Sequence, residues 1–138
     1  MTKQKEIRVW IIEDDKEIAD SHSRRLREHF KQIKIRLFDF TANLVDAKSK
    51  KSPDFIFYDM TKGLIPMGFD LNHLVQYDIV AIYERYPSSI IAIYSGMDEW
   101  AHDLVDEIIE LHKDKKIFLI HASYKVGSWI EIIEKGTK

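Results

Sequence analysis

The sequence contains no cysteine. Disulfides, thiolate metal sites and cysteine nucleophiles are therefore excluded. It has only 5 glycines and 3 prolines among 138 residues, and no repeat, low-complexity tract or linker interrupts it. No apolar run approaches the length of a membrane span, and the start, "MTKQKEIRVW", lacks the apolar core of a signal peptide. A cytoplasmic location is the expectation. An excess of charge is missing too. Lys plus Arg number 21 against 23 Asp plus Glu, a net charge of −2, so the chain carries no electrostatic footprint for nucleic acid.

What is present is ordinary for a soluble globular protein: 45% hydrophobic and 32% charged residues. The length suits one domain over 1–138 with its core at about 7–135, and no output domain is expected after the last helix. Short apolar runs rich in β-branched and aromatic residues at 8–12, 33–40, 54–58, 90–94 and 117–120 predict five strands. Four are nearly continuous, as strands covered on both faces should be. The second alternates at Ile33, Ile35 and Leu37, which predicts an edge or half-exposed strand.

Helical stripes separate these runs. Ile18, Leu26 and Phe30, with His22, mark the first helix; a weak second one spans 42–48, with Thr41 as its cap. Leu71, Leu74, Val75, Ile79, Ile82 and Tyr83 mark the third, ended by Pro87. Ala101, Leu104, Val105, Ile108 and Ile109 mark the fourth, from Asp98 as N-cap to about Lys113. Val126, Trp129, Ile130 and Ile133 mark a short last helix ending at Gly136. Such alternation predicts an α/β fold, a single doubly wound five-stranded parallel sheet of flavodoxin type with helices on both faces.

Ligands of such sheets sit beyond the carboxyl ends of the strands. The first polar residues there are Glu13, Asp14 and Asp15 after the first run, Asp59 after the third, Ser95 after the fourth and His121 after the fifth. Asp15 and Glu17 are explained by capping of the following helix. Glu13, Asp14 and Asp59 are not. Two unit charges about 4 Å apart interact by roughly 4 kcal/mol at an effective dielectric of 20. Either one carboxyl keeps its proton, or a hard cation such as Mg²⁺ sits among them.

The motifs "VWIIEDD", "PDFIFYDM" and "IIAIYSG", in this order and spacing, resemble the receiver domain of two-component response regulators over nearly the whole chain. The resemblance implies Asp59 as acceptor of a phosphoryl group from a histidine kinase, a phosphotransfer protein or a small phosphodonor. It implies Mg²⁺ held by Glu13, Asp14, Asp59 and the backbone carbonyl of Thr61, with Ser95 on the phosphoryl oxygens. Phe118 occupies the place of an aromatic switch residue; a buried strand aromatic is the plain alternative. The implied role is signalling through changed protein contacts, with a downstream partner or a second copy meeting the helix 4–strand 5–helix 5 face. No direct nucleic-acid or membrane contact is implied, and no enzymatic activity beyond the domain's own phosphorylation and dephosphorylation.

The sequence departs from that family at two places. Where receivers carry lysine followed by proline, His121 and Ala122 stand here; the expectations are that His121 or Lys125 supplies the cation, or that His121 merely hydrogen-bonds in the loop. The loop "MTKGLIPMGFD" delays its proline to Pro66 and sets Leu64, Ile65, Met67 and Phe69 around the pocket. These departures motivate an alternative, a pseudo-receiver that acts as a phosphorylation-independent interaction module. A haloacid-dehalogenase-type phosphatase is disfavoured by motif order: there the nucleophile strand comes first, and a second acid follows where Thr61 stands.

Overall fold

A computed structural model of the chain describes residues 6–49, 51–60, 71–95, 99–113 and 118–137. Strands and helices alternate throughout: β1 (Ile7–Ile12), α1 (Lys16–His29), β2 (Ile33–Phe38), α2 (Thr41–Val45), β3 (Phe55–Asp59), α3 (Leu71–Arg85), β4 (Ile90–Tyr94), α4 (Glu99–Leu111), β5 (Phe118–His121) and α5 (Val126–Gly136). The strands form one parallel sheet in the order β2-β1-β3-β4-β5. This is the flavodoxin-like order, in which chain direction across the sheet reverses between β1 and β3.

The period-2 alternation of each strand divides the core into two layers. Trp10, Ile12, Ile56, Tyr58, Ile91 and Ile93 point to one face and pack against Leu44 of α2, Val75, Ile79 and Ile82 of α3, and Val105 and Ile108 of α4. Val9, Ile11, Phe55, Phe57, Ala92 and Tyr94 point to the other and pack against Leu26 of α1 and Val126, Trp129 and Ile133 of α5. The three inner strands are apolar on both sides because both sides are covered. β2 is at the edge, and its burial alternates over Ile33, Lys34, Ile35 and Arg36 as the sequence pattern predicts; the alternation breaks at Leu37, which is 43% exposed while Phe38 is buried.

Trp129 anchors the second layer. It is fully buried, stacks on Phe57 with centroids 4.2 Å apart and planes 15° apart, and lies 4.9 Å from Tyr94. Its indole Nε1 donates to the Ser123 carbonyl at 2.8 Å, so burial leaves its polar edge satisfied. His22 closes the cluster edge-on, 4.5 Å from the indole. At the end of α5, a Cβ on Gly136 would lie 2.6 Å from the Phe55 ring. Only glycine lets the helix end approach the sheet that closely.

Some element limits differ from the pattern-based reading. α2 begins at Thr41 with Phe40 as its N-cap, and no side chain caps it. Thr41 is the first residue of the helix itself, so the cap position falls one residue earlier, and its side chain is buried, 6% exposed. β2 ends at Phe38 because the ladder with β1 ends there, at the pair Ile12 and Phe38. β3 runs through Asp59 because its ladder with β4 continues to the pair Asp59 and Tyr94. β5 likewise includes His121, paired with Ile93. Phe118 is not buried; at the entrance of this edge strand it is 60% exposed. The expected caps and boundary residues Asp98 and Ile117 lie outside the described residues.

Candidate functional site

β1 and β3 are neighbours at the point where the strand order reverses, and both end in carboxylates. Glu13 follows β1 directly, and its N–H donates to the Phe38 carbonyl of β2 at 3.0 Å, which keeps the chain in line one residue past the strand. Asp59 is the last residue of β3, and the next N–H, of Met60, donates to the Tyr94 carbonyl at 2.8 Å. This pairing brings Glu13, Asp14 and Asp59 together: one carboxylate oxygen from each lies within 4.8 Å of the others. Glu13 is 5% exposed and Asp59 7%, whereas Asp14 faces solvent.

Asp15, the remaining carboxylate of the triplet, has another task. It is the N-cap of α1, and its Oδ1 accepts from the N–H groups of Glu17 at 3.0 Å and Ile18 at 3.3 Å. Glu17 sits in the first helical turn, where negative charge is favoured. The acidic run therefore divides into two residues for the cluster and two for the helix.

The electrostatics of the cluster follow from its burial. Glu13 loses hydration, hydrogen-bonds Asp59 and feels the charges of Asp59, Asp14 and Asp15; its pKa is raised from 4.5 to about 9. Its Oε2 is buried without a hydrogen-bond partner. Without a cation, then, the pocket resolves its repulsion by keeping a proton on Glu13. A divalent ion resolves the same repulsion while the carboxylates stay ionised. The donor set is all oxygen, with one orphaned acceptor, which fits a hard ion such as Mg²⁺ or Ca²⁺.

Two tyrosines that the sequence reading passed over flank this cluster. Tyr94 pairs with Asp59 in the sheet, and its hydroxyl is buried without a partner. Burial, then the charges of Glu13, Asp59 and Asp14, push its pKa well above the usual tyrosine value, so it remains a neutral phenol. Tyr58 donates to Asp78 Oδ2 of α3 at 2.6 Å. Burial and the neighbouring Asp78 likewise raise its pKa. The signal for both was in the sequence, as polar-tipped aromatics at strand ends: Tyr58 one residue before the end of β3 and Tyr94 the last residue of β4.

Ser95 directly follows β4 and is fully buried. The Thr61 carbonyl, and the apolar residues Leu64, Ile65, Met67 and Phe69, lie outside the described residues. His121 points away from the sheet's α1 and α5 side. It shares the face of Leu119, which packs with the α3 and α4 layer, and its ring meets α4. Its Nδ1 lies 2.8 Å from Asp106 Oδ1, and its Nε2 lies 3.0 Å from His102 Nδ1. Lys125 is exposed at the N-cap of α5, and its side chain makes no capping bond.

Neither the family models nor the curated proteins contain a match to this sequence. Solved structures do match it. An uncharacterised protein from Neptuniibacter caesariensis is 18% identical, with a TM-score of 0.69 over 98% of this chain and 90% of that one. A CheY-like response regulator receiver domain protein from Methanospirillum hungatei JF-1 is 13% identical, with a TM-score of 0.61 over 96% of this chain and 94% of that one. A response regulator from Burkholderia pseudomallei, solved with a phosphorylated aspartic acid, a calcium ion and citrate, is 14% identical, with a TM-score of 0.63 over 96% of this chain and 69% of that one. The fold of this chain is the response-regulator receiver fold.

Proposed function

We propose that this chain is a signalling receiver that accepts a phosphoryl group on Asp59 and needs Mg²⁺ to do so. One observation carries the reading: Glu13, Asp14 and Asp59 bring carboxylate oxygens within 4.8 Å of one another at the sheet's switch point. Asp59 supplies the nucleophile. A carboxylate oxygen attacks phosphorus, an O–P bond forms, and the donor's bond to phosphorus breaks with its electron pair leaving on the donor. Glu13 and Asp14, with Asp59 itself and the Thr61 carbonyl, would hold the ion. When bound, Mg²⁺ offsets the negative charge of the carboxylates and of the incoming phosphoryl group. The buried Ser95 hydroxyl is the candidate donor to a phosphoryl oxygen. The neutral Tyr94 phenol adds no charge to the pocket.

The phosphodonor is a histidine kinase, a phosphotransfer protein or a small acyl phosphate. The output is a changed contact with a downstream protein or a second copy, through the face of α4, β5 and α5. No reaction on an external substrate is part of this reading.

A second reading is favoured by His121. It stands where receivers have their lysine, and its ring is engaged by Asp106 and His102. A pseudo-receiver, with no phosphoryl chemistry and a constitutive interaction surface, would need no cation there. Intact mass after incubation with Mg²⁺ and acetyl phosphate separates the two. Gain of one phosphoryl group in the parent and none in Asp59→Asn supports the receiver. No gain in a folded parent, with no stable complex of a phosphoryl mimic, supports the pseudo-receiver.

A further inference from the structure

The contacts of His121 define a second polar cluster, separate from the acidic one. His102 and Asp106 lie four residues apart on α4 and so share one helical face. His121, at the end of β5, projects onto that face because it alternates in phase with Leu119, which packs against the α4 layer. Asp106 Oδ1 accepts from His121 Nδ1 at 2.8 Å, an arrangement that in the neutral ring leaves the lone pair on Nε2. That lone pair is aimed at His102 Nδ1, 3.0 Å away, with the two rings tilted by 30°.

We propose that His102 Nδ1 and His121 Nε2 form a binding site for a divalent transition-metal ion of the zinc type, with Asp106 as the positioning residue behind His121. The spacing fits the ion. Zn–N bonds of about 2.0–2.1 Å put two ligating nitrogens roughly 2.9–3.4 Å apart for angles between about 90° and 110°. The observed 3.0 Å lies within that range. A carboxylate on the far nitrogen of a metal-binding histidine orients the ring and raises its basicity, and Asp106 stands in that place.

The chemistry of the donors separates this site from the acidic cluster. Imidazole nitrogens prefer Zn²⁺, Ni²⁺ or Cu²⁺, whereas an all-carboxylate site prefers Mg²⁺ or Ca²⁺. Access is open: the His121 side chain is 25% exposed and that of Asp106 68%. Among the described residues, the one group of three or more acidic or histidine ligands within mutual reach is Glu13, Asp14 and Asp59. The histidine pair therefore supplies two ligands, and water completes the shell. An ion so held replaces the single proton that the two nitrogens share and ties α4 to β5. The inference stands whether or not Asp59 is phosphorylated.

The test is a Zn²⁺ titration by calorimetry in saturating Mg²⁺, repeated with Co²⁺ by visible absorption. The parent, His102→Gln, His121→Gln, Asp106→Asn and Asp59→Asn are compared, each shown to be folded by circular dichroism. One Zn²⁺ per chain is expected in the parent. Affinity should fall at least tenfold in each histidine variant and roughly 10- to 100-fold in Asp106→Asn. It should be unchanged in Asp59→Asn. No Zn²⁺ binding in the parent, binding in both histidine variants as tight as in the parent, or loss in Asp59→Asn alone overturns the proposal. If His121→Gln does not fold, His102→Gln on the helix decides.

Discussion

Glu13 and Asp59, at the ends of two adjacent strands, share a hydrogen bond that exists only while one of them holds a proton. The pair is the strained part of an otherwise apolar strand end. Glu13→Gln keeps a neutral donor for Asp59 without the proton uptake that folding of the parent needs above pH 4.5. Near pH 7 the metal-free variant should be more stable than the parent by about 1–3 kcal/mol, the linkage cost of that proton. The melting temperature should rise by roughly 3–10 °C. Added Mg²⁺ is expected to stabilise the parent by linkage and should do little for the variant. Thermal melts of both proteins with and without the ion check this.

The proton on Glu13 also sets a pH dependence. Its pKa is 4.5 in the ordinary state and about 9 in the fold, so below 4.5 the group is protonated whether folded or not. Between those values the unfolded chain has released the proton and the folded chain still holds it. The unfolded state then binds fewer protons, and stability falls as pH rises. Metal-free protein should thus have a higher urea midpoint near pH 5.5 than near pH 8.5, and Glu13→Gln should flatten the difference. Mg²⁺ competes with that proton, so its stabilisation should grow over the same window.

Asp15 distinguishes capping from ligation. Asp15→Ala removes the acceptor of two N–H groups at the start of α1 and should cost about 0.5–2 kcal/mol. The Mg²⁺-induced rise in melting temperature should remain. Asp14→Ala should behave in the opposite way, with little loss of stability and no rise. A lost Mg²⁺ response in Asp15→Ala would show that all three acidic residues serve the ion.

Trp129 carries the largest packing load in the layer beneath α1 and α5. Trp129→Ala should destabilise the fold by about 3–5 kcal/mol, measured by urea unfolding. Trp129→Phe should cost less, because a ring can still stack on Phe57, yet it leaves the Ser123 carbonyl without the indole donor.

Much of this architecture was legible in the sequence because its signals are local. Continuous apolar runs such as "FIFY" read as covered strands, and the alternation at Ile33 and Ile35 read as an edge. Strand ends were less legible. Asp59 and His121 look like first loop residues, yet the ladders with Tyr94 and Ile93 hold them in the sheet. Thr41 looks like a cap, but the packing of α2 onto the sheet buries it. The carboxylates of the candidate site were visible as residues following apolar runs. The direction of His121 is marked in the sequence only indirectly, by its phase with Leu119 and by the four-residue spacing of His102 and Asp106. Phe118 shows the reverse case: an aromatic in a strand sequence is exposed at the start of the edge strand, while Leu119 and Ile120 behind it are half-buried.

The pairing of β1 with β3 has a kinetic side. Glu13 and Asp59 come from strands joined only through β2 and the crossovers around it, so the acidic cluster has no local precursor in the unfolded chain. Its repulsion first arises when the middle of the sheet closes, and an ion of high affinity can bind only then. A cation bound at this place would act as a latch on a finished sheet, expected to slow opening and to leave the speed of folding nearly untouched. In that sense such an ion would report whether the two central strands are in register.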